Sequence, residues 1–363
     1  MSGIAPPVPV PADDTAFCRA MLPKVSRTFA VCIRLLPGDL DHAVLVAYLL
    51  CRIADTIEDS VTLTPHEKHD LLHVFSGTLD PGGSGAGRLR AAFAAGKSDE
   101  EVLAREADAV LREFGRLPEA QRDAIRPWVQ EMARGMAGFA RRKGEPDGAT
   151  AHVEALETVE ELDRYCYYVA GTVGHLLTDL FLLHSRSRDS ARHQRLRALA
   201  TSFGLGLQLT NIIKDVADDR RRGWSFVPQE LCQLTGITPE ELHDNRHREA
   251  ALRVMHRLIL KAKSHLLDAL EYSTLLSRRQ YGVRLFCLTA LYFAVRTLEL
   301  AERDDRLLDP DHKVKISRAD VLHTISMTRL VAPSNELVRW YFRRLARGQW
   351  GRAQPGDAVT LDP

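Results

Sequence analysis

The sequence predicts an all-α fold in a single domain, and three observations carry that expectation. Apolar residues recur at three- and four-residue spacing over long stretches, as with Val44, Ala47, Leu50, Ala54 and Ile57. Helix start signals punctuate those stretches. No run shows convincing strand alternation, and no self-similarity appears at periods of roughly 20 to 50 residues.

Taken in order, residues 1–12 are proline-rich and are expected to form a disordered tail. Asp13 and Asp14 cap a short helix that ends near Pro23, and another begins around Ser26. Gly38-Asp39 caps a helix that runs through Tyr48 to Asp59. Thr64-Pro65 opens the next, with proline at the first helical position. Asp80 to Gly87 reads as a flexible surface loop, not a domain boundary. Ser98 and Glu101 form a capping box before a charged amphipathic helix. A helix over 118–143 turns Trp128, Met132, Met136 and Phe139 inward, at the spacing of core side chains. Thr158 and Glu161 cap a long helix through Leu183. Further helices are expected at about 188–221, 239–278, 279–303, 318–331 and 333–347. The folded domain then spans 13–347, and 348–363 forms a flexible tail.

Composition excludes several function classes. A chain of 363 residues, 45% of them hydrophobic, can bury a large core. A formal net charge of +1 gives no overall basic field, so no nucleic-acid partner is expected. The six cysteines lie on apolar helical stretches with no Cys-x-x-Cys, which fits buried thiols in a reducing cytoplasm. The N-terminus lacks a signal-peptide pattern, and the longest apolar runs, such as Ala43 to Cys51, are too short to span a bilayer. The histidines show no zinc-ligand spacing. Gly204-Leu-Gly206 lies inside a helix and is no dinucleotide fingerprint.

Two segments carry chemistry. Tyr48, Arg52, Asp55 and Asp59 step by four, three and four residues, which stacks them on one helical face. Gln208, Asn211, Asp215 and Asp219 repeat the device in steps of three, four and four, opposite an apolar side of Leu209, Ile212, Ile213 and Val216. Either stripe alone would ordinarily be a solvated face. Two copies suggest a shared pocket, in which four carboxylates would repel unless cations sat among them. Oxygen-only ligands suit Mg²⁺, which commonly bridges carboxylates to substrate phosphates, so a diphosphate is the expected ligand. Arg27, Arg52, Lys214 and Arg222 are candidate diphosphate clamps, although Arg52 and Lys214 could equally be paired with Asp55 and Asp219.

Four stretches, in this order, resemble the squalene/phytoene synthase family: Ser26-Arg27-Thr28-Phe29-Ala30, Asp55-Thr56-Ile57-Glu58-Asp59, Tyr165-Cys166-Tyr167-Tyr168-Val169-Ala170-Gly171 and Asn211-Ile212-Ile213-Lys214-Asp215. The similarity spreads over most of residues 20–330. It implies an isoprenoid synthase helical bundle around a central cavity, acting on farnesyl diphosphate with Mg²⁺ held by Asp55, Asp59, Asp215 and Asp219. It places Tyr165 at the reacting centre in proton transfer, and Phe29 and Phe286 along the pocket near carbocations; by spacing alone each Phe would be core. Ser26, Tyr48, Val169, Gly174, Gln208 and Asn211 match further substrate-contacting positions. Gly171 and Gly174 thin their helix, either for close helix packing or to leave room for a prenyl chain.

Lys313-Val314-Lys315-Ile316-Ser317-Arg318 reads alone as a basic loop before a capped helix. It also resembles the flap that closes over NADPH in the squalene-forming branch, so Lys313, Lys315, Arg318 and Thr28 are the expected cofactor contacts. One departure stands out. Trp224 occupies the place of a family arginine, and Arg220, Arg221 or Arg222 is left to replace it. The resemblance implies head-to-head joining of two farnesyl diphosphates to presqualene diphosphate and NADPH-dependent reduction to squalene. Alternatives in the same fold stop at presqualene diphosphate, dehydrosqualene or phytoene. A catalytically dead assembly or binding protein would be expected to have lost the aspartates. A soluble, cytoplasmic, bacterial monomer is expected, with peripheral membrane contact left open.

Overall fold

The computed structural model describes residues 13–140, 154–185, 187–221, 223–347 and 350; the side chains of Arg27 and Thr28 lie outside what is described. The proline-rich 1–12 tail, the end of the 118–143 helix, Arg222 and most of 348–363 therefore fall outside it.

Helices account for nearly all the described structure. Helix α1 (Asp14–Val25) starts where the Asp13 carboxylate accepts from the Thr15 amide at 3.1 Å, and it runs past Pro23. Ser26 caps α2 (Arg27–Ile33), its hydroxyl accepting from the Phe29 amide. Helix α3 (Gly38–Asp59) is capped by Pro37 rather than by Gly38, which is already helical. Capping boxes open α4 (Pro65–Thr78) at Thr64 and Glu67, and α6 (Asp99–Arg105) at Ser98 and Glu101. The expected loop after α4 is shorter than its glycines suggest, because α5 (Ala86–Ala92) begins inside it. The charged helix after Ser98 breaks at Glu106 and resumes as α7 (Ala107–Arg116). In α8 (Glu119–Ala140), Met132, Met136 and Phe139 are buried, while Trp128 is half-buried, with its indole nitrogen donating to Asp179.

The one departure from all-α is small. Strands β1 (Glu154–Ala155) and β2 (Trp224–Ser225) pair in parallel over two residues each. Such a short pairing leaves no alternation to read in the sequence. The helix capped by Thr158 is three pieces: α9 (Val159–Cys166), a π-helical turn over Tyr167–Gly171, and α10 (Thr172–His184). This continuous 26-residue stretch, Val159–His184, is the one described helix long and apolar enough to cross a bilayer, which corrects the expectation that every apolar run is too short. It packs against α8 and against α11 (Ser190–Arg221), inside the bundle. After α12 (Gln229–Gln233), two 3-10 turns cover Glu240–His243 and Asn245–His247, so α13 (Arg248–Leu275) starts later than the periodicity suggests. Helix α14 (Tyr281–Ala301) is the most buried, and α15 (Arg318–Val331) and α16 (Asn335–Leu345) close the chain against it. Trp350 returns to the bundle, donating to Glu299 Oε1 at 3.0 Å. All six cysteines are free and buried.

Helices α11 and α13 form the longest pair, pinned by a polar cluster. Ser202 Oγ donates to Asp268 Oδ2 at 2.7 Å and meets His265 Nδ1 at the same distance. Burial, helped by Lys261, pulls the His265 imidazole down to about 4. An unfolded histidine binds its proton near pH 6.5, so this cluster stabilises the fold fully above that pH and is lost as pH falls towards 4. Wild-type protein should therefore lose about 2–3 kcal/mol between pH 7 and pH 4 that His265→Gln does not lose. Urea unfolding of both proteins at the two pH values measures this; parallel losses would refute it.

Candidate active site

The first acidic row lies on α3, whose other side buries Ile53, Ala54 and Ile57 completely. Tyr48, Arg52 and Asp55 are half-buried and Asp59 is exposed at the helix end. The Arg52 guanidinium donates to Glu100 Oε1 at 3.3 Å and lies 3.7 Å from Asp55 Oδ2, while its Nε is buried without a hydrogen-bond partner. Burial pushes the Asp55 carboxyl up to about 7; Arg52 opposes that rise, and Asp59 and Glu58 add to it. A carboxylate this reluctant to ionise is what withdrawal from water produces, with neighbouring like charges adding to it. The Tyr48 phenol, pushed up to about 12 by burial, points at the α1–α2 junction near Val25 and Ser26.

The second row lies on α11, with Leu209, Ile212, Ile213 and Val216 buried on the opposite side as expected. Gln208, Lys214, Asp215 and Asp219 are half-buried, and Asn211 is exposed. Lys214 pairs with Asp215, not with Asp219. The segment between α14 and α15 reaches over this row: Lys313 pairs with Asp218, and its ammonium sits 3.5 Å from Asp215 Oδ1. Lys313, with Arg221 adding, holds the Asp218 carboxyl below the usual carboxylate range. Asp215 Oδ1 is buried and accepts no hydrogen bond, although a buried polar atom left unmet costs about 1–3 kcal/mol. Lys315 and Arg318, further along the same segment, are exposed.

Tyr165 lies beside the first row and stacks on the segment that follows the second. It sits at the end of α9, 5% exposed, stacked on Phe226 at 4.6 Å and edge-on to Phe139 at 5.3 Å. Burial raises its phenol well above the usual value, and the charges of Glu58, Asp59 and Asp55 raise it further, so it faces the first row. Phe226 follows the second row by way of β2. The pairing of β1 with β2, extended by Gln229 N donating to Leu156 O at 2.8 Å, latches the start of α9 to the end of α11. That latch ties the helix carrying Tyr165 to the helix carrying the second row. From Tyr48 a column of rings leads away, through Phe29 at 5.7 Å, Phe286 at 6.5 Å from Phe29, and Phe181 at 5.8 Å from Phe286. It is a continuous apolar column inside the bundle.

Among the described residues, no three His, Cys, Asp or Glu side chains converge tightly enough to hold one ion by themselves. The carboxylates stand as two pairs. Such an arrangement fits cations completed by a ligand's oxygens better than a closed protein cage. The donor set is all oxygen, one donor is an unmet buried carboxylate oxygen, and a lysine ammonium stands beside it as a stand-in cation. These residues fit a divalent metal with an anionic ligand.

Several expectations are adjusted. A Cβ at Gly174 would collide with the Ala200 carbonyl, and one at Gly204 with the Ala170 carbonyl. Of the two readings of Gly171 and Gly174 the structure favours close packing: Gly174 lies on the Ala200 backbone, and a Cβ at Gly171 would meet Tyr167, Thr201 and Leu205; Val169, on the π turn, is half-buried. Trp224 is buried in β2 against Phe226. Of the basic residues expected to replace it, Arg221 is tied to Asp218, Arg222 lies outside the described residues, and Arg220 has a buried Nη1 with no hydrogen-bond partner. Sequence reading passed over Asp218, Glu100, Glu58 and Phe226. Asp218 was findable, since it follows Asp215 by one turn; Glu100 and Phe226 are brought in by tertiary packing alone.

Comparison with known proteins follows this geometry. The family profile described as squalene/phytoene synthase matches residues 22–320. A squalene synthase of Eremothecium gossypii is 31% identical over 93% of this chain and 74% of its own length. One of Saccharomyces cerevisiae is 30% identical over 90% of this chain and 70% of its own. A solved structure described as TcSQS with a ligand superposes with a TM-score of 0.76 at 27% identity, covering 95% of each chain. A dehydrosqualene synthase structure, at 20% identity and a TM-score of 0.60, shares the fold.

Because the α10 and α11 backbones touch at Gly174, Gly174→Ala should lower unfolding stability by about 1–3 kcal/mol. Denaturant melts test this; unchanged stability would mean that the position opens onto space.

Proposed function

The chain belongs to the squalene/phytoene synthase family, and from that footing we propose that it joins two farnesyl diphosphates head to head through presqualene diphosphate and reduces the product to squalene. The observation that carries the reading is the buried Asp215 Oδ1, which accepts no close hydrogen bond and is met only by the Lys313 ammonium at 3.5 Å. A farnesyltransferase needs such a place for a charge-compensated diphosphate.

In this reading Asp55, Asp59, Asp215 and Asp219 hold Mg²⁺, with Gln208 and Asn211 beside them on the second row. When bound, Mg²⁺ neutralises the charge that grows on the departing diphosphate. Arg52 and Arg220, each with a buried guanidinium nitrogen unpartnered, clamp phosphate oxygens, and Lys214 adds a point charge. Ser26, which caps α2 next to Tyr48, contacts the substrate in this reading, and Arg27 and Thr28 keep the diphosphate and cofactor roles that the family resemblance implies for them. The first substrate ionises, and the double bond of the second attacks the allylic cation. Loss of a proton closes the cyclopropane. A phenol held well above its usual pKa does not act as the base, so Tyr165 stays protonated and orients the released diphosphate that takes the proton. Phe29 and Phe286 present ring faces to the cation in a water-poor chamber. NADPH, when bound, supplies the hydride that ends the second ionisation. Lys315 and Arg318, exposed beside the site, hold its phosphates; Lys313 is committed to the aspartates. The protein is proposed to work in the cytoplasm.

Incubation with farnesyl diphosphate and Mg²⁺, with and without NADPH, followed by mass analysis of the lipids, tests this. Squalene should form only with NADPH, and the Lys315→Ala/Arg318→Ala double variant should shift product towards presqualene diphosphate by about tenfold or more. A product indifferent to NADPH, or unchanged squalene from the double variant, would refute it.

A further inference from the structure

Three helices, α10, α13 and α15, end at one pole of the bundle, and hydrogen bonds hold their ends together. Gln280 Nε2 donates to the Phe181 carbonyl at 3.3 Å, and Tyr281 Oη donates to the Arg329 carbonyl at 2.9 Å. The buried Arg284 guanidinium donates to the Ser273, Leu276 and Ala332 carbonyls and to Asn335 Oδ1. This clamp fixes the α13–α14 turn against the α15–α16 turn, so the surface around it is rigidly presented.

That surface is apolar and basic together. Of the nine exposed large hydrophobic side chains among the described residues, four gather here: Leu183 (52% exposed), Tyr281 (40%), Leu330 (66%) and Leu337 (45%). Across 276–285 and 329–344, Glu336 is the single carboxylate against seven arginines. All but Arg284 are exposed. In a chain whose net charge is only +1, this is a concentrated positive field. We propose that this pole is a docking face for an anionic lipid bilayer. Leucine and tyrosine side chains enter the headgroup–acyl boundary while the arginine stems lie along it and their guanidinium groups bind lipid phosphates.

Charge selects this occupant. A second copy seated by a two-fold axis would set arginine against arginine. An acidic protein would satisfy the charge but not explain the ring column, which begins at Phe181 directly beneath this pole and reaches Tyr48 at the first acidic row. A hydrocarbon formed in that chamber is delivered to lipid. This last point rests on the reading above; the docking test needs no substrate and stands apart from it.

The whole protein, without substrate, is sedimented with phosphatidylcholine vesicles that contain or lack phosphatidylglycerol, at low and high salt. Binding should require phosphatidylglycerol and weaken with salt. Arg329→Glu/Arg339→Glu should reduce the partition coefficient by about tenfold or more, and Leu330→Ser/Leu337→Ser should reduce it even at low salt. Both variants alter exposed side chains and should keep the wild-type melting temperature and turnover of detergent-dispersed substrate. Wild-type protein that ignores phosphatidylglycerol would overturn the proposal. So would an arginine variant that binds as well as wild type, or a wild-type dimer by light scattering that the leucine variant dissociates.

Discussion

Like charges crowd on each acidic row, Glu58 and Asp59 beside Asp55 and Asp218 beside Asp215, and the cations of this structure are arranged around that crowding. Burial pushes the Asp55 carboxyl up to about 7, and the charges of Asp59 and Glu58 push the same way. Each neighbouring cation is placed to relieve that crowding. Arg52 spans Asp55 and Glu100, Lys214 meets Asp215, and Lys313 leans in from a distant segment onto Asp218 and Asp215. The relief is incomplete, since Asp215 Oδ1, Arg52 Nε and Arg220 Nη1 stay buried and unmet.

The scaffold holds those groups in place with ordinary devices. A two-residue parallel pairing ties the beginning of α9 to the end of α11. The π turn at Tyr167–Gly171 inserts a residue so that Tyr165 faces the acids while Gly174 still meets α11. Glycines let α10 and α11 touch. Each of these devices helps fix where a candidate side chain stands.

Much of this was legible in the sequence. Periodicity and capping boxes located α3, α4, α6 and α11, because local hydrogen bonds and one apolar face suffice to define an amphipathic helix. The acidic rows were legible because helical spacing alone stacks Asp55 on Asp59 and Asp215 on Asp219. What escaped was set by contacts between distant segments. The β1–β2 latch is too short to alternate. The late start of α13 follows from 3-10 turns that share the helical pattern. Gly174 was ambiguous until Ala200 was seen opposite it, and Glu100 reaches Arg52 only through the packing of α6 on α3. A charge census along the chain averaged away the arginines that the fold collects at one pole.

The most direct test of the account is where divalent ions settle. Crystals grown with Mn²⁺ and a non-ionisable thiodiphosphate analogue of the farnesyl substrate, measured at the manganese absorption edge, would locate each ion. The account expects anomalous peaks against Asp55/Asp59 and against Asp215/Asp219, joined by the analogue's phosphates, with the second peak gone in Asp215→Asn. Peaks away from both rows, or an analogue bound with its diphosphate outside them, would contradict it.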